Sequence, residues 1–426
     1  MARHPPFCNR EASRRGWTRR ASRLETVAMR AEGISDGIDG AAMLAEVEAW
    51  AGVNTGTGNL AGLAALAGTL ADAFAALPGE VALVDPAPVT AIGADGREFA
   101  KPHGQHMVLR VRPGAERRLV LTGHMDTVFP ADHPFQAVTR TDDATVNGPG
   151  TADMKGGICV ILHALRAFEA MPGSQRLGYD VMINSDEETG SLASRALIED
   201  LARGKYAALT YEPSALPDGT LAHARGGTGN YSLTFTGRSA HAGRNPQEGR
   251  NALLAAADCA LRIEAMAADD ITVNPAKIEG GSANNVVPDL AVLRFNIRPK
   301  STEATIRFEA QLAEAIAAVA AAREVAIHHH GGVTRPPKPV DARAQKLFDL
   351  VRDCGAELGQ TIGWIPSGGV CDGNNIAACG VPVVDTMGVR GGAIHSPQEF
   401  MIIPSLVERA ALSALVLGRL ASGDIL

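Results

Sequence analysis

Leu119-Val120-Leu121-Thr122-Gly123-His124-Met125-Asp126-Thr127 is an apolar run that ends in a polar pair. An unbroken aliphatic stretch without alternation marks a strand buried on both faces, as in a parallel sheet. Such sheets keep their sites at the strand ends. Side chains alternate along a strand, so His124 and Asp126 point the same way. The carboxylate can then hold one imidazole nitrogen while the other binds a metal. A lone His-x-Asp is equally a polar turn after a core strand, and the choice between the two rests on the remaining chain.

Downstream, Gly150-Thr151-Ala152-Asp153-Met154-Lys155-Gly156 leads into a helical pattern carried by Ile158, Val160, Ile161, Leu165 and Phe168 and stopped at Pro172-Gly173. Asp153 is thereby expected at a helix N-terminus. The next strand, Val181-Met182-Ile183-Asn184, runs into Ser185-Asp186-Glu187-Glu188-Thr189-Gly190, and a helix over 191–203 and a strand over 206–211 ending at Glu212-Pro213 follow. Upstream, two helical patterns begin at Asp39 and Asn59, and short strands are expected at 80–84 and 106–112. This alternation predicts an α/β fold with a doubly wound, mostly parallel sheet.

Past residue 222 the rhythm changes. A strand (229–236), a helix (249–267), two strands (270–279, 288–298), a helix (302–322) and a strand (324–330) give the β-α-β-β-α-β order of a ferredoxin-like α+β unit. The Pro-rich junction Thr334-Arg335-Pro336-Pro337-Lys338-Pro339 closes it. A helix at 341–357, a strand at 382–387 and an apolar helix at 406–420 return to the first pattern. The expected organisation is a basic, disordered extension over 1–38, a first segment over 39–222, an inserted domain over 223–335 and a second segment over 336–426.

The composition fits a soluble two-domain protein: 426 residues, 46% hydrophobic and 20% charged. A net charge of -7 gives no basic field for nucleic acid, and no apolar run approaches a membrane span. The six cysteines lack a Cys-x-x-Cys pair, which points to reduced thiols and a cytoplasmic setting. Packing is their expected role, with Cys371, in a Gly-rich loop, as the alternative reactive thiol. The Arg-rich start is followed by no apolar segment, so no secretory signal is expected.

The chemistry gathers where the strands end. His124, Asp153, Glu187-Glu188, Glu212 and His395 are nitrogen and carboxylate donors without thiolate, a set that suits zinc, with cobalt or manganese as substitutes. Five ligands serve two ions only if one carboxylate bridges, and Asp153 at a helix start is placed to do so. Neighbouring acids at a strand end point apart, so one of Glu187 and Glu188 should ligate and the other stay free as a general base toward metal-bound water. Lys155 lacks the Gly-Lys-Ser/Thr context of a phosphate loop. His328-His329-His330 reads as a solvated strand end of the inserted domain.

The motifs HMDTV, GPGTADMKGG, NSDEETGS, YEPS, GRSAHAG, SANNVVP and GGAIHSPQE, in this order from about residue 40 onward, resemble the dinuclear zinc metallopeptidases that include glutamate carboxypeptidase, acetylornithine deacetylase, succinyl-diaminopimelate desuccinylase and the aminoacylases. The resemblance implies that His124, Asp153 and Glu212 hold one zinc and Asp153, Glu188 and His395 the other. It further implies that Asp126 orients His124, that Glu187 is the base, and that a cis peptide follows Asp153. The inserted domain would dimerise the chain, with His241 crossing to the partner's site. Asn284 and Arg298 would meet substrate, Arg298 at a carboxylate, and the Gly368-Gly369 loop would approach it. The implied activity is zinc-dependent cleavage of an amide next to a free carboxylate, glutamate carboxypeptidase-like because Glu stands at position 212. The alternatives are an N-acyl amino acid deacylase and, more distantly, a catalytically silent dimeric binding protein. Small peptides or N-acyl amino acids are the expected partners.

Overall fold

The computed structural model describes residues 33–423 and Leu426. The expected basic extension lies outside the described residues as far as residue 32. Its last residues do carry structure: Ser35–Gly37 forms a single 3-10 turn, and Ile38 packs into the main core.

Six strands form the central sheet in the spatial order Glu80–Val84, His106–Val111, Leu177–Asn184, Arg117–His124, Ala207–Thr210, Val383–Val384. The last four run parallel, and the first two are antiparallel to their neighbours. Register pairs His124 with Asn184 and Thr122 with Thr210, so the C-terminal ends of three adjacent strands lie side by side. Helices cover both faces, as parallel strands that are apolar on both sides require. One face carries Gly40–Ala51, Leu60–Phe74, Gly156–Glu169 and Ser405–Ser422 over a core including Met43, Leu63, Leu121, Leu162 and Leu415. The other carries Arg195–Ala202 and Asp372–Ala378 over Val120, Met182, Ile198 and Ile376. The helix Gly156–Glu169 is buried on nearly every side because Ser405–Ser422 packs on it from outside. Among the described residues no helix is long and apolar enough to cross a membrane.

Residues 228–335 form a separate four-stranded antiparallel sheet in the order Ile271–Gly280, Leu290–Pro299, Thr228–Thr236, Ala326–Arg335. The helices Ala252–Glu264 and Thr302–Arg323 cover one face, closing a second core around Leu233, Phe235, Ile263, Leu293 and Phe308. This is the α/β architecture with an inserted ferredoxin-like unit that the sequence predicts.

Several boundaries differ from expectation. The expected helix over 191–203 starts only at Arg195, because Glu187–Thr189 turns as a 3-10 helix and Ser191 takes a positive φ of 55°. The expected strand 382–387 shrinks to Val383–Val384, since the chain turns to pass Glu212. The three histidines lie inside the strand Ala326–Arg335, not at its end. Gly331 and Gly332 keep the ladder going in a positive-φ conformation, and the strand runs through Thr334-Arg335 into the Pro-rich junction.

Candidate metal centre

Each functional side chain is held by an element whose sequence accounts for its position. His124 is the last residue of its strand. Its Nδ1 lies 3.0 Å from the Asp126 carbonyl oxygen and 3.4 Å from the Asp126 carboxylate. The backbone oxygen is thus the nearer partner of that nitrogen. The Asp126 carboxylate has further duties: it accepts from Thr57 Oγ1 (2.8 Å) and from the backbone N–H groups of Glu187 (3.1 Å) and Glu188 (3.2 Å). One buried side chain therefore ties the end of one strand to the acidic turn after the next.

Asp153 precedes the helix Gly156–Glu169 in non-helical backbone (φ -116°, ψ 89°) and is joined to Met154 by a cis peptide. The α-helix itself begins three residues later than the sequence suggests. Gly157 shows why this segment is Gly-rich: a Cβ there would sit 2.1 Å from the Tyr211 carbonyl oxygen. Only glycine lets the helix start pass so near the residue before Glu212. Lys155 is buried and donates to the Val53 carbonyl (2.9 Å), and burial lowers its ammonium to about 7. It anchors the helix and faces no anion-binding loop.

The donors converge in two groups that share Asp153. His124 Nε2 lies 3.1 Å from Asp153 Oδ1 and 3.7 Å from Glu212 Oε2. His395 Nε2 lies 3.3 Å from Asp153 Oδ2 and 3.2 Å from Glu188 Oε2. In each triplet the ligand-type atoms all lie within 4.8 Å of one another, close enough to hold an ion. Burial raises Glu188 to about 7, with Asp153 adding to the rise, and burial also raises Glu212. Burial would likewise raise Asp153, but His124 and His395 hold it below the usual carboxylate range. His124 is raised well above the ordinary imidazole value because Glu212, Asp126 and Asp153 outweigh its burial. Three acids, Asp153 buried and Glu188 and Glu212 half-buried, around two imidazoles form a donor set that divalent cations complete, and the nitrogen and oxygen donors suit them.

Glu187 belongs to neither triplet. It is buried, and its Oε1 accepts from Arg335 Nη2 (2.6 Å), which also reaches the Glu187 carbonyl and Ser191 Oγ. Burial raises its carboxyl well above the usual value, against the pull of Arg335.

A cavity of about 590 Å³ opens over both triplets, with Gly368 and Gly369 in its wall. His241, Asn284 and Arg298 do not line it. All three are exposed on the inserted unit, where the His241 Nδ1 accepts from Gly243 N (3.1 Å) and Arg298 Nε donates to Asn296 Oδ1 (3.0 Å).

Sequence reasoning missed several supporting residues. Glu399 is buried; its carboxylate accepts from the backbone N–H groups of Gly150 (3.1 Å), Ala152 (2.9 Å) and Asp153 (3.0 Å). Phe400–Ile402 pairs with Thr145–Asn147, which brings the His395 loop to the Asp153 loop. The signal was present in the motif itself, four residues after His395. Arg335 and Arg225 carried no such signal, because each looks like a polar residue in a connection. Arg225 is a buried guanidinium held by Asp385 (2.7 and 3.2 Å), whose carboxylate also faces Lys338 (3.2 Å). Cys371 is buried and its thiol is raised well above normal by that burial, which removes the alternative of a reactive thiolate.

A model of Peptidase family M20/M25/M40 matches residues 120–419. Carboxypeptidase G2 of Pseudomonas sp. (strain RS-16) is 30% identical over 335 residues, 75% of this chain and 78% of that protein. Succinyl-diaminopimelate desuccinylase of Maricaulis maris (strain MCS10) is 31% identical over 219 residues, 46% of this chain and 55% of its own length. Among solved structures, aminopeptidase PepT from Bacillus cereus ATCC 10987 superposes with a TM-score of 0.67 at 22% identity, covering 90% of this chain and 99% of its own.

Proposed function

Because the chain belongs to Peptidase family M20/M25/M40 and is thereby a metallopeptidase or amidohydrolase, we propose that it cleaves an amide bond next to a free carboxylate, as a glutamate carboxypeptidase does. One observation carries the proposal: two donor triplets share Asp153, and a buried acid, Glu187, lines the same cavity as their carboxylates and belongs to neither. His124, Asp153 and Glu212 would hold one divalent ion and Asp153, Glu188 and His395 the other, with zinc the best match to these donors. When bound, such ions polarise a carbonyl oxygen and lower the pKa of water.

The protein's own residues do the rest. Glu187 takes a proton from the attacking water and returns it to the amide nitrogen as the C–N bond breaks. Asp126 fixes His124 and, through the N–H groups of Glu187 and Glu188, sets where the two acids point. Arg298 would meet the substrate carboxylate and Asn284 would contact the substrate, with the Gly368-Gly369 backbone along it. Since His241 and Arg298 stand on the inserted unit and outside the cavity wall, they reach substrate by closure of that unit or from a second copy. We propose a homodimer in which residues 223–335 make the contact and His241 of the partner subunit completes each site, while 39–222 and 336–426 form the catalytic domain. The free cysteines among the described residues fit a cytoplasmic enzyme.

The second reading, an N-acyl amino acid deacylase, uses the same centre and draws on the similarity to the desuccinylase. The assignment of the acids is tested by two variants. Glu187→Gln should keep its metal and lose roughly a hundredfold or more in kcat. Glu188→Gln should lose metal. Equal metal content in the two proteins, measured by atomic emission, would overturn the division of labour between base and ligand.

A further inference from the structure

We infer that the cavity over the metal centre takes an uncharged, apolar group of the substrate, aromatic or branched aliphatic, and discriminates against a group bearing a second carboxylate. This deepens the hydrolase reading and rests on it. Apart from the donor triplets and Glu187, much of the wall is hydrocarbon: Ala222, Ile365, Pro366, Val370, Ile394 and Phe400 line it. Ile365 and Ile394 remain 39% and 40% exposed, although most large aliphatic side chains of this protein are buried. Of the twelve large hydrophobic residues exposed among the described residues, these two share the wall of one cavity, where a ligand can cover both.

The charges of the wall point the same way. Among the described residues, its basic side chains are Arg225 and His395. His395 faces Asp153 and Glu188. Arg225 is spent: two of its nitrogens bind Asp385, and Nη1 donates to the Gly369 carbonyl (3.0 Å) and lies 3.3 Å from Ser367 Oγ. That guanidinium therefore braces the Gly loop that forms one side of the cavity and is not available to an incoming anion. Against the apolar part of this wall, away from the donor triplets, a carboxylate would lose its water and find no free side-chain cation, a cost that an apolar group avoids and replaces with a gain from burial. The pocket thus favours the carboxypeptidase side of the proposed function, with a neutral acyl portion, over cleavage of a succinyl amide.

The test uses the full-length protein loaded with zinc and two substrates that differ only in the acyl group, N-benzoyl-glutamate and N-succinyl-glutamate. It also uses their non-hydrolysable analogues, in which CO–CH2 replaces CO–NH. The benzoyl compound should have a kcat/KM at least about tenfold higher, and calorimetry should show its analogue binding at least about tenfold tighter. Ile365→Arg, at an exposed position, should reduce or reverse that preference by supplying a free guanidinium. Succinyl binding that equals or exceeds benzoyl binding overturns the inference, as does failure of both analogues to bind. If the benzoyl analogue binds tighter and neither substrate is hydrolysed, the cavity assignment stands and the hydrolase reading falls.

Discussion

Glu399 shows how far a single side chain can act from the atoms it serves. It touches no donor side chain, yet its carboxylate gathers three backbone N–H groups from the loop that presents Asp153. Glu399→Gln replaces one acceptor oxygen by a donor that faces another donor. The expected loss is about 1–3 kcal/mol, the penalty of an unsatisfied buried group. Because the loop is the shared element of both triplets, the variant should also bind metal more weakly. Denaturant titration and metal content after gel filtration check both effects, and a protein unchanged in both would show that Glu399 has no such role. At this scale the sequence was legible where chemistry needs a rare donor pattern, as at His124, Asp153 and Glu187-Glu188. Glu399 stood in the same motif as His395, but its residue type did not reveal that it acts through backbone contacts; the sequence was silent where a residue acts through a partner far along the chain, as Arg225 and Arg335 do.

At the level of elements, the strand-and-helix alternation and the order of the inserted unit could be read because apolar periodicity survives in a single chain. Ends were harder to read, since tertiary contacts decide them: Tyr211 presses on Gly157, and Asp126 captures the turn at Glu187. The junction after the inserted sheet illustrates what such contacts are worth. Asp385, just past the edge strand Val383–Val384, sits between Arg225 and Lys338. Burial pushes its carboxyl up, but the two cations outweigh burial and hold it below the ordinary value. A depressed folded-state pKa gives stability that is complete above the unfolded value of about 3.9 and is lost as pH falls through the folded value. The protein should therefore lose stability below about pH 4 in part through this group. Asp385→Asn leaves two buried cations without their counter-ion, so at neutral pH it should cost roughly 3–5 kcal/mol. Urea midpoints at pH 7 and pH 3 should show a smaller acid-induced loss in the variant than in the parent. An equal loss in both would remove Asp385 from the acid response.

For the molecule as a whole, the exposed position of His241 makes the proposed second copy testable. His241→Ala and Glu187→Gln should each be nearly inactive. Co-expressed, they should form hybrids in which one site has an intact Glu187 and receives an intact His241. Random pairing makes half the dimers hybrid and leaves half of their sites whole, so activity should return to about a quarter of the parent value by symmetry. Mixed dimers that stay at the level of the single variants would mean that His241 does not act across an interface. The insertion of residues 228–335 between parts of one sheet has a consequence for biosynthesis. A chain is made from its N-terminus, and its domains form in that order. Ala207–Thr210 is complete long before its neighbour Val383–Val384 exists, and His395 and Glu399 follow later still. While the inserted unit is translated, the apolar strand Ala207–Thr210 presents an unpaired edge, which is a hazard for association with other chains. The nascent protein therefore has its greatest need of chaperone protection in the middle of its synthesis, and the donor triplet that includes His395 is complete only near the end.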